Sequence, residues 1–251
     1  MITNEVLQKL ARQYQTAIFP NIAREYFQHV FLSELYKLPE AKNLLFKGGT
    51  ALRVIYGSPR FSEDLDFFAL KAAGYAAPKT TEDLFIKVLS AIERLGIKVE
   101  IGRKSGQTSG GYFGAAAFKM ENYPAVGVKI NISARHGKGA RGEVDSIAND
   151  FVPTYTVIHL PQEELAEEKI FGALLERKKP RDYYDLYFMM RKGMLSAGHK
   201  KRLKKIKDKI LADARGVNFK AELGVFLPAD QQAIIHDFPR ALKAELNRQV
   251  I

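Results

Sequence analysis

The chain contains no cysteine. No disulfide, thiolate metal site or catalytic thiol can therefore belong to it. That absence agrees with a reducing compartment, and the expected location is the cytoplasm. No apolar run approaches membrane-spanning length, so no membrane contact is expected. The first ten residues carry polar Thr3, Asn4, Glu5 and Gln8. They hold no apolar core of the kind a secretory signal needs. The five histidines, His29, His136, His159, His199 and His236, are scattered along the chain. None forms a ligand-spaced pair, and none is assigned to a metal.

Positive charge is what the sequence has in excess. Lys and Arg number 39 against 28 Asp and Glu, a formal net charge of +11. Such a balance is expected of a chain that meets nucleic acid or nucleotides, although a plain basic surface would give the same sum. A length of 251 residues suits one substantial core, or a catalytic domain with a helical extension.

Apolar residues recur at near-helical spacing from Val6 to Tyr36, with Pro20 as an interruption. Asn43 to Lys47 reads as a buried strand feeding the Gly48-Gly49 turn, and Thr50 to Tyr56 as a short helix stopped by Gly57. Glu63 to Leu70 reads as a second strand. Its alternation puts Leu65 and Phe67 on one face, and Asp64 and Asp66 on the other. Thr80 to Leu95 follows as a helix, with Thr80 or Thr81 as N-cap and Gly96 as stop. Ile97 to Ile101, Tyr112 to Met120, Val126 to Ala134 and Thr154 to His159 read as strands. Arg103 to Gly111 is expected to be mobile.

From Pro161 onward the pattern is helical. Gln162 to Arg177 and Arg181 to Arg191 are separated by Lys178-Lys179-Pro180, and further helices fill the tail. His199 to Lys209 is strongly basic. Its apolar stripe of Leu203, Ile206 and Ile210 makes it an amphipathic helix. The pattern predicts an α+β fold: a mixed sheet preceded by helices and followed by a helical region.

The chemistry concentrates in Phe46 to Phe68, FKGGTALRVIYGSPRFSEDLDFF. Two glycines let the backbone turn sharply and approach a ligand closely. The helix after them aims unpaired N–H groups at the same spot, which suits a phosphate. Thr50 can cap that helix or bond a phosphate oxygen, and Arg53 can add charge one turn later. Asp64 and Asp66 project from one strand face and repel each other unless a cation sits between them. Mg²⁺ favours such oxygen ligands and shares them with substrate phosphates. Each element alone is commonly plainer: a turn, an N-cap, a solvated strand face, a carboxylate-pairing arginine. Their order along the chain is what makes the combination specific.

KGGTALR followed by RFSEDLDF resembles the AbiEii/AbiGii-type toxin nucleotidyltransferases of the DNA polymerase β-like superfamily. A second block agrees with this: Glu163 to Lys169 (EELAEEK), then Arg181 to Leu186 (RDYYDL). The resemblance runs from about Phe46 to Tyr187. It implies a polymerase β-like core with N-terminal helices over 1–160 and a C-terminal helical domain, 161–251, that completes the active site. It further implies transfer of a nucleotide from an NTP with Mg²⁺ or Mn²⁺, an RNA acceptor such as tRNA, and an AbiEi-like antitoxin as partner. Residue by residue, Gly48, Gly49, Thr50 and Arg53 match the nucleotide-binding turn. Ser62, Asp64 and Asp66 match the metal-binding part, and Lys169 a lysine that contacts the triphosphate. Asp182 and Asp185 match the later acidic motif, and either can be its working carboxylate.

One departure concerns a third carboxylate, common in the superfamily on a neighbouring strand. The candidate strand, Val128 to Ser133, carries Asn131 instead, with Lys129 on the same face. A phosphotransferase use of the same pocket, in which the γ-phosphate moves, stays open, and so do two further readings. One is a transferase of the same fold acting on a protein or small molecule. The other is a degenerate, non-catalytic module that binds RNA or a partner.

Overall fold

The computed structural model describes residues 2–70, 78–119, 123–133 and 141–249. By its contacts the chain divides into two compact units, Met1–Gly57 with Phe61–Leu160, and Ser58–Arg60 with Pro161–Ile251.

The first unit is built on a mixed sheet. Its strands are β1 (Leu44–Lys47), β2 (Asp64–Ala69), β3 (Lys98–Ile101), β4 (Gly106–Thr108), β5 (Gly111–Lys119), β6 (Val126–Ser133), β7 (Glu143–Ile147) and β8 (Tyr155–His159). The order is β3-β5-β6-β2-β1-β8-β7, with β4 paired to β5. β1 and β2 run antiparallel, while β2 with β6 and β1 with β8 run parallel. Cross-strand register aligns Phe46 with Phe67, Leu65 with Ile130, and Phe118 with Val126. These buried side chains form one apolar face.

Helices α2 (Ala23–Leu35) and α4 (Pro78–Arg94) cover that face. Phe27 of α2 stacks on Phe118 at 5.0 Å between ring centroids, and Phe31 packs at 6.2 Å from Phe85 of α4. Full burial of each such ring contributes roughly 1.5–3 kcal/mol. Because side chains alternate, the opposite face of β2 carries Asp64 and Asp66. Before α2, helix α1 (Asn4–Gln13) is capped by Thr3, whose side chain accepts the Val6 N–H. Pro20 interrupts the helical region as expected, with Phe19 extended (φ −111°).

Several boundaries differ from the sequence expectation. Helix α3 (Gly48–Val54) starts at Gly48, two residues early, because Gly48 at φ +86° makes the turn itself. α4 begins at Pro78, so Thr80 and Thr81 lie inside it rather than capping it. The segment expected to be mobile contains β4, a short hairpin partner of β5. β7 was not expected at all. Its residues EVDSI lie largely exposed at the sheet edge and show no apolar alternation. Met120 and Ala134, which end two predicted strands, and His136 lie outside the described residues.

The second unit is helical. α5 (Gln162–Glu167) continues through a π-helical stretch, Glu168–Leu174, into α6 (Leu175–Arg177). Lys178 at φ +51° ends it, and Pro180 opens α7 (Pro180–Arg191) at a position where its missing N–H costs nothing. Then come α8 (Ala197–Ala214), α9 (Phe219–Phe226), a 3₁₀ stretch Ala229–Asp237, and α10 (Phe238–Gln249). Phe238 centres the core, 4.6 Å from Phe219 and 6.1 Å from Tyr184. α8 is amphipathic as expected: Leu203 and Ile210 are buried, and Lys201, Lys204, Lys205 and Lys209 are exposed. Among the described residues no helix is long and apolar enough to cross a membrane.

Gly111 shows how tightly the β5–β6 pairing is drawn. At φ +154°, a Cβ there would lie 1.8 Å from the carbonyl oxygen of Ile132. Gly111→Ala is expected to lower stability by at least ~1–3 kcal/mol, read as a fall in Tm by circular dichroism. An unchanged Tm would contradict this packing.

Candidate active site

In the first unit the paired carboxylates meet the glycine turn directly. A Cβ on Gly48 would lie 2.3 Å from Asp66 Oδ2, so the carboxylate occupies the space that any other residue's side chain would need. Asp66 Oδ1 accepts a hydrogen bond from the Asn131 amide at 2.9 Å. Asn131 is the direct neighbour of Asp66 on β6, and Lys129 that of Asp64. On the other side Lys47 is the cross-strand neighbour of Asp66. Register therefore flanks the two aspartates with a lysine on each neighbouring strand, and such opposite-charge pairs lessen the carboxylates' mutual repulsion. Lys47 escaped the sequence reading because it resembles the ordinary last residue of a strand; only pairing identifies it.

Thr50 is fully buried, and its hydroxyl donates to the Asp64 carbonyl oxygen at 2.5 Å. It ties α3 to β2, neither capping the helix nor facing outward. Ser62 lies in the approach to β2, where the Gln28 amide donates to the carbonyl oxygens of Ser62 and Glu63 at 3.0 and 3.1 Å. Gly49 is buried in the first turn of α3.

Arg53 is directed elsewhere. Its guanidinium makes a two-pronged ion pair with Glu25, at 2.6 and 2.8 Å, and lies 3.7 Å from the Phe61 ring centroid. Both side chains of the pair are mostly buried. Its positive charge, together with burial as the larger effect, keeps nearby His29 neutral, with a pKa pushed down to about 3. No local sequence signal marks this use, since Glu25 is one of several polar residues in α2.

The donor set fits a hard divalent cation. Two carboxylates and an asparagine amide share one side of the sheet, and oxygen donors of this kind suit Mg²⁺ or Mn²⁺. Among the described residues no cluster of three or more His, Cys, Asp or Glu could hold a metal. Two carboxylates leave the rest of an octahedral shell to water and substrate phosphates, the usual Mg²⁺ arrangement at phosphate sites.

The second unit contains a separate constellation. Lys169 lies in the π-helical stretch and points inward, its Nζ 2.8 Å from Asp185 Oδ2. Arg60 donates to the same carboxylate from Nε (3.0 Å) and Nη2 (2.8 and 3.1 Å). Asp185 is fully buried. Burial alone would raise its pKa, but Arg60 and Lys169 outweigh it and hold the carboxyl below the usual range. Arg60 opens the RFSEDLDF motif, and only the fold reveals its partner. Asp182, three residues earlier, caps α7: its Oδ2 accepts the Lys179 N–H at 3.2 Å, and its Oδ1 accepts from Arg177 at 2.5 Å. Of the two acids in the later motif, one orders a helix end and the other anchors two cations.

Two outcomes follow. Gly48→Ala combines a strained φ with a clash against Asp66, so activity should fall at least ~10²-fold, with far-ultraviolet circular dichroism unchanged. Asp185→Asn leaves two cations partly uncompensated in the interior and should cost ~3–5 kcal/mol, read by denaturant unfolding. The sign with pH follows from the depressed pKa: the stabilisation by Asp185 is complete above the ordinary carboxylate range and is lost as pH falls below it. Wild-type and variant stabilities should therefore converge only in strong acid.

Known proteins bear on these two sites. Residues 30–249 match the family described as nucleotidyl transferase AbiEii toxin, type IV toxin–antitoxin system. A candidate nucleotidyltransferase from H. pylori has a similar structure, with TM-score 0.64 and 21% identity, covering 92% of this chain and 95% of that one. JHP933 from Helicobacter pylori is similar at TM-score 0.62 and 21% identity, covering 92% of each chain. No curated protein matches. At these identities the two structures speak for the fold alone, whereas the family match takes in the glycine turn, both aspartates, Lys169 and Asp185. The chain belongs to the AbiEii nucleotidyltransferase toxin family of type IV toxin–antitoxin systems.

Proposed function

We propose that this toxin is a Mg²⁺- or Mn²⁺-dependent enzyme that transfers a nucleotide from an NTP to RNA, with tRNA as the acceptor and an AbiEi-like antitoxin as its partner. The observation that carries this reading is the seat of Asp66 against Gly48, with Asp64 on the same strand face. A net charge of +11 supports a polyanionic acceptor.

In the reaction, an acceptor hydroxyl oxygen bonds to the α-phosphorus of the NTP. The bond from that phosphorus to its bridging oxygen breaks, and pyrophosphate leaves with the electron pair. A divalent ion held by Asp64 and Asp66 would offset the phosphate charge that develops. The Gly48-Gly49 backbone gives the phosphates room and N–H donors. Asn131 keeps Asp66 in one orientation but cannot take the hydroxyl proton. The Asp185 carboxyl, held to a low pKa by its cations, is a poor base. The hydroxyl proton in this reading passes to solvent, and the described residues contribute alignment and charge. In this reading Lys169 binds phosphate, and Asp185 fixes where its ammonium lies.

The test incubates the protein with tRNA and either α- or γ-labelled NTP. Label from the α position should enter RNA and disappear on chelation of the metal. Asp64→Asn and Asp66→Asn should each lower kcat/KM by ~10²–10³-fold. Label in protein alone would move the acceptor to another class, and transfer of γ-label alone would make the enzyme a phosphotransferase. No transfer of either label, with RNA still bound, would favour the binding module that Asn131 leaves open.

A further inference from the structure

The second unit has a cavity that none of the chemistry above uses. Its volume is about 410 Å³, within the size range of small-ligand pockets. One wall is a stripe of α7 that includes Tyr187, Phe188 and Arg191, with Lys192 just beyond the helix. The facing wall is the 3₁₀ stretch, with Gln231 and Ile234. Tyr184 closes the inner side. It is buried, with its ring stacked on Phe238, and cannot swing out cheaply.

The lining is mainly aromatic and apolar, with two cations, Arg191 and Lys192, at one side. Tyr187 and Phe188 remain half-buried, whereas Tyr183 and Tyr184 on the same helix are buried. Tyr187 is steadied by an edge contact with Phe238 at 5.7 Å and by Arg191, which donates to its hydroxyl at 3.3 Å. Arg191 and Lys192 are exposed at the rim. The neighbouring acids already have partners. Asp230 accepts from the Gln231 amide at 3.0 Å, and Glu245 is paired with Arg248.

The geometry points to a nucleotide-binding pocket here: a base lies against Tyr187 and Phe188, and its phosphate meets Arg191 and Lys192. Aromatic rings accept any base through its π-face. Two adjacent cations select for a phosphate over a neutral aromatic compound. A free nucleoside monophosphate and one nucleotide of an RNA strand offer the same chemistry. The choice of the strand rests on the RNA-acceptor reading above; the pocket itself does not.

The experiment titrates the full-length protein, without divalent metal, with AMP, with CMP, and with a fluorescent single-stranded oligoribonucleotide. Tyr187→Ala and Lys192→Glu should each weaken oligonucleotide binding by about tenfold or more, while Tyr187→Phe retains it. Lys192→Glu should also flatten the salt dependence. Binding of AMP or CMP with the same dependence on Tyr187 supports the pocket and makes free nucleotide its source; binding of the oligonucleotide alone supports it with the strand as source. Wild-type affinity in both weakened variants, or no binding by the folded wild-type protein, overturns the pocket. The tRNA-labelling assay is scored separately. Label transfer to RNA by a Tyr187→Ala protein of unchanged RNA affinity sinks this pocket and leaves the functional reading standing. Tyr187-dependent binding of AMP or CMP without label transfer does the reverse.

Discussion

A carboxylate resting against the bare α-carbon of a glycine is the contact on which the first unit's site depends. Asp66 can lie beside Gly48 only because no side chain stands there and because the glycine accepts a left-handed φ. From that contact the remaining geometry is fixed in steps. β1 and β2 must pair antiparallel for the turn to reach the aspartate, and Thr50 then bonds the backbone of Asp64. Asn131 holds the other oxygen of Asp66 from the parallel strand β6. The apolar side of the same strands, buried under α2 and α4, gives the polar side its rigidity.

Buried ion pairs are the second device, found in both units among the described residues. Glu25 with Arg53, and Asp185 with Arg60 and Lys169, take charges out of water and recover the desolvation cost through several short, charge-assisted bonds. Such pairs add little net stability over well-packed apolar groups, but removing one partner is costly. They specify a geometry more than they strengthen a core. Arg53 illustrates the exchange: a cation one helical turn past the glycine turn joins α3 to α2.

The sequence was most legible where periodicity was strong. β2 could be read with its faces assigned, since EDLDFFAL alternates cleanly, and α8 could be read through its basic and apolar stripes. Edges were less visible. β7 carries no apolar alternation because one side of an edge strand has no neighbour and little of it is buried. The site residues were legible as types and as motifs, but their partners were not. Nothing local in RFSEDLD tells that Arg60 joins Asp185, 125 positions away, or that Lys47 stands beside Asp66 across the strands. Register and long-range packing make those pairs, and neither is written in a window of neighbouring residues.

Asn131 has an effect that reaches beyond the reaction. An acid beside Asp66 would crowd a third negative charge onto one patch of sheet and make the fold lean on a counter-charge. The amide instead offers hydrogen-bond donors, and the flanking lysines dilute what repulsion is left. A sheet built this way holds its shape with no cation needed to offset its carboxylates.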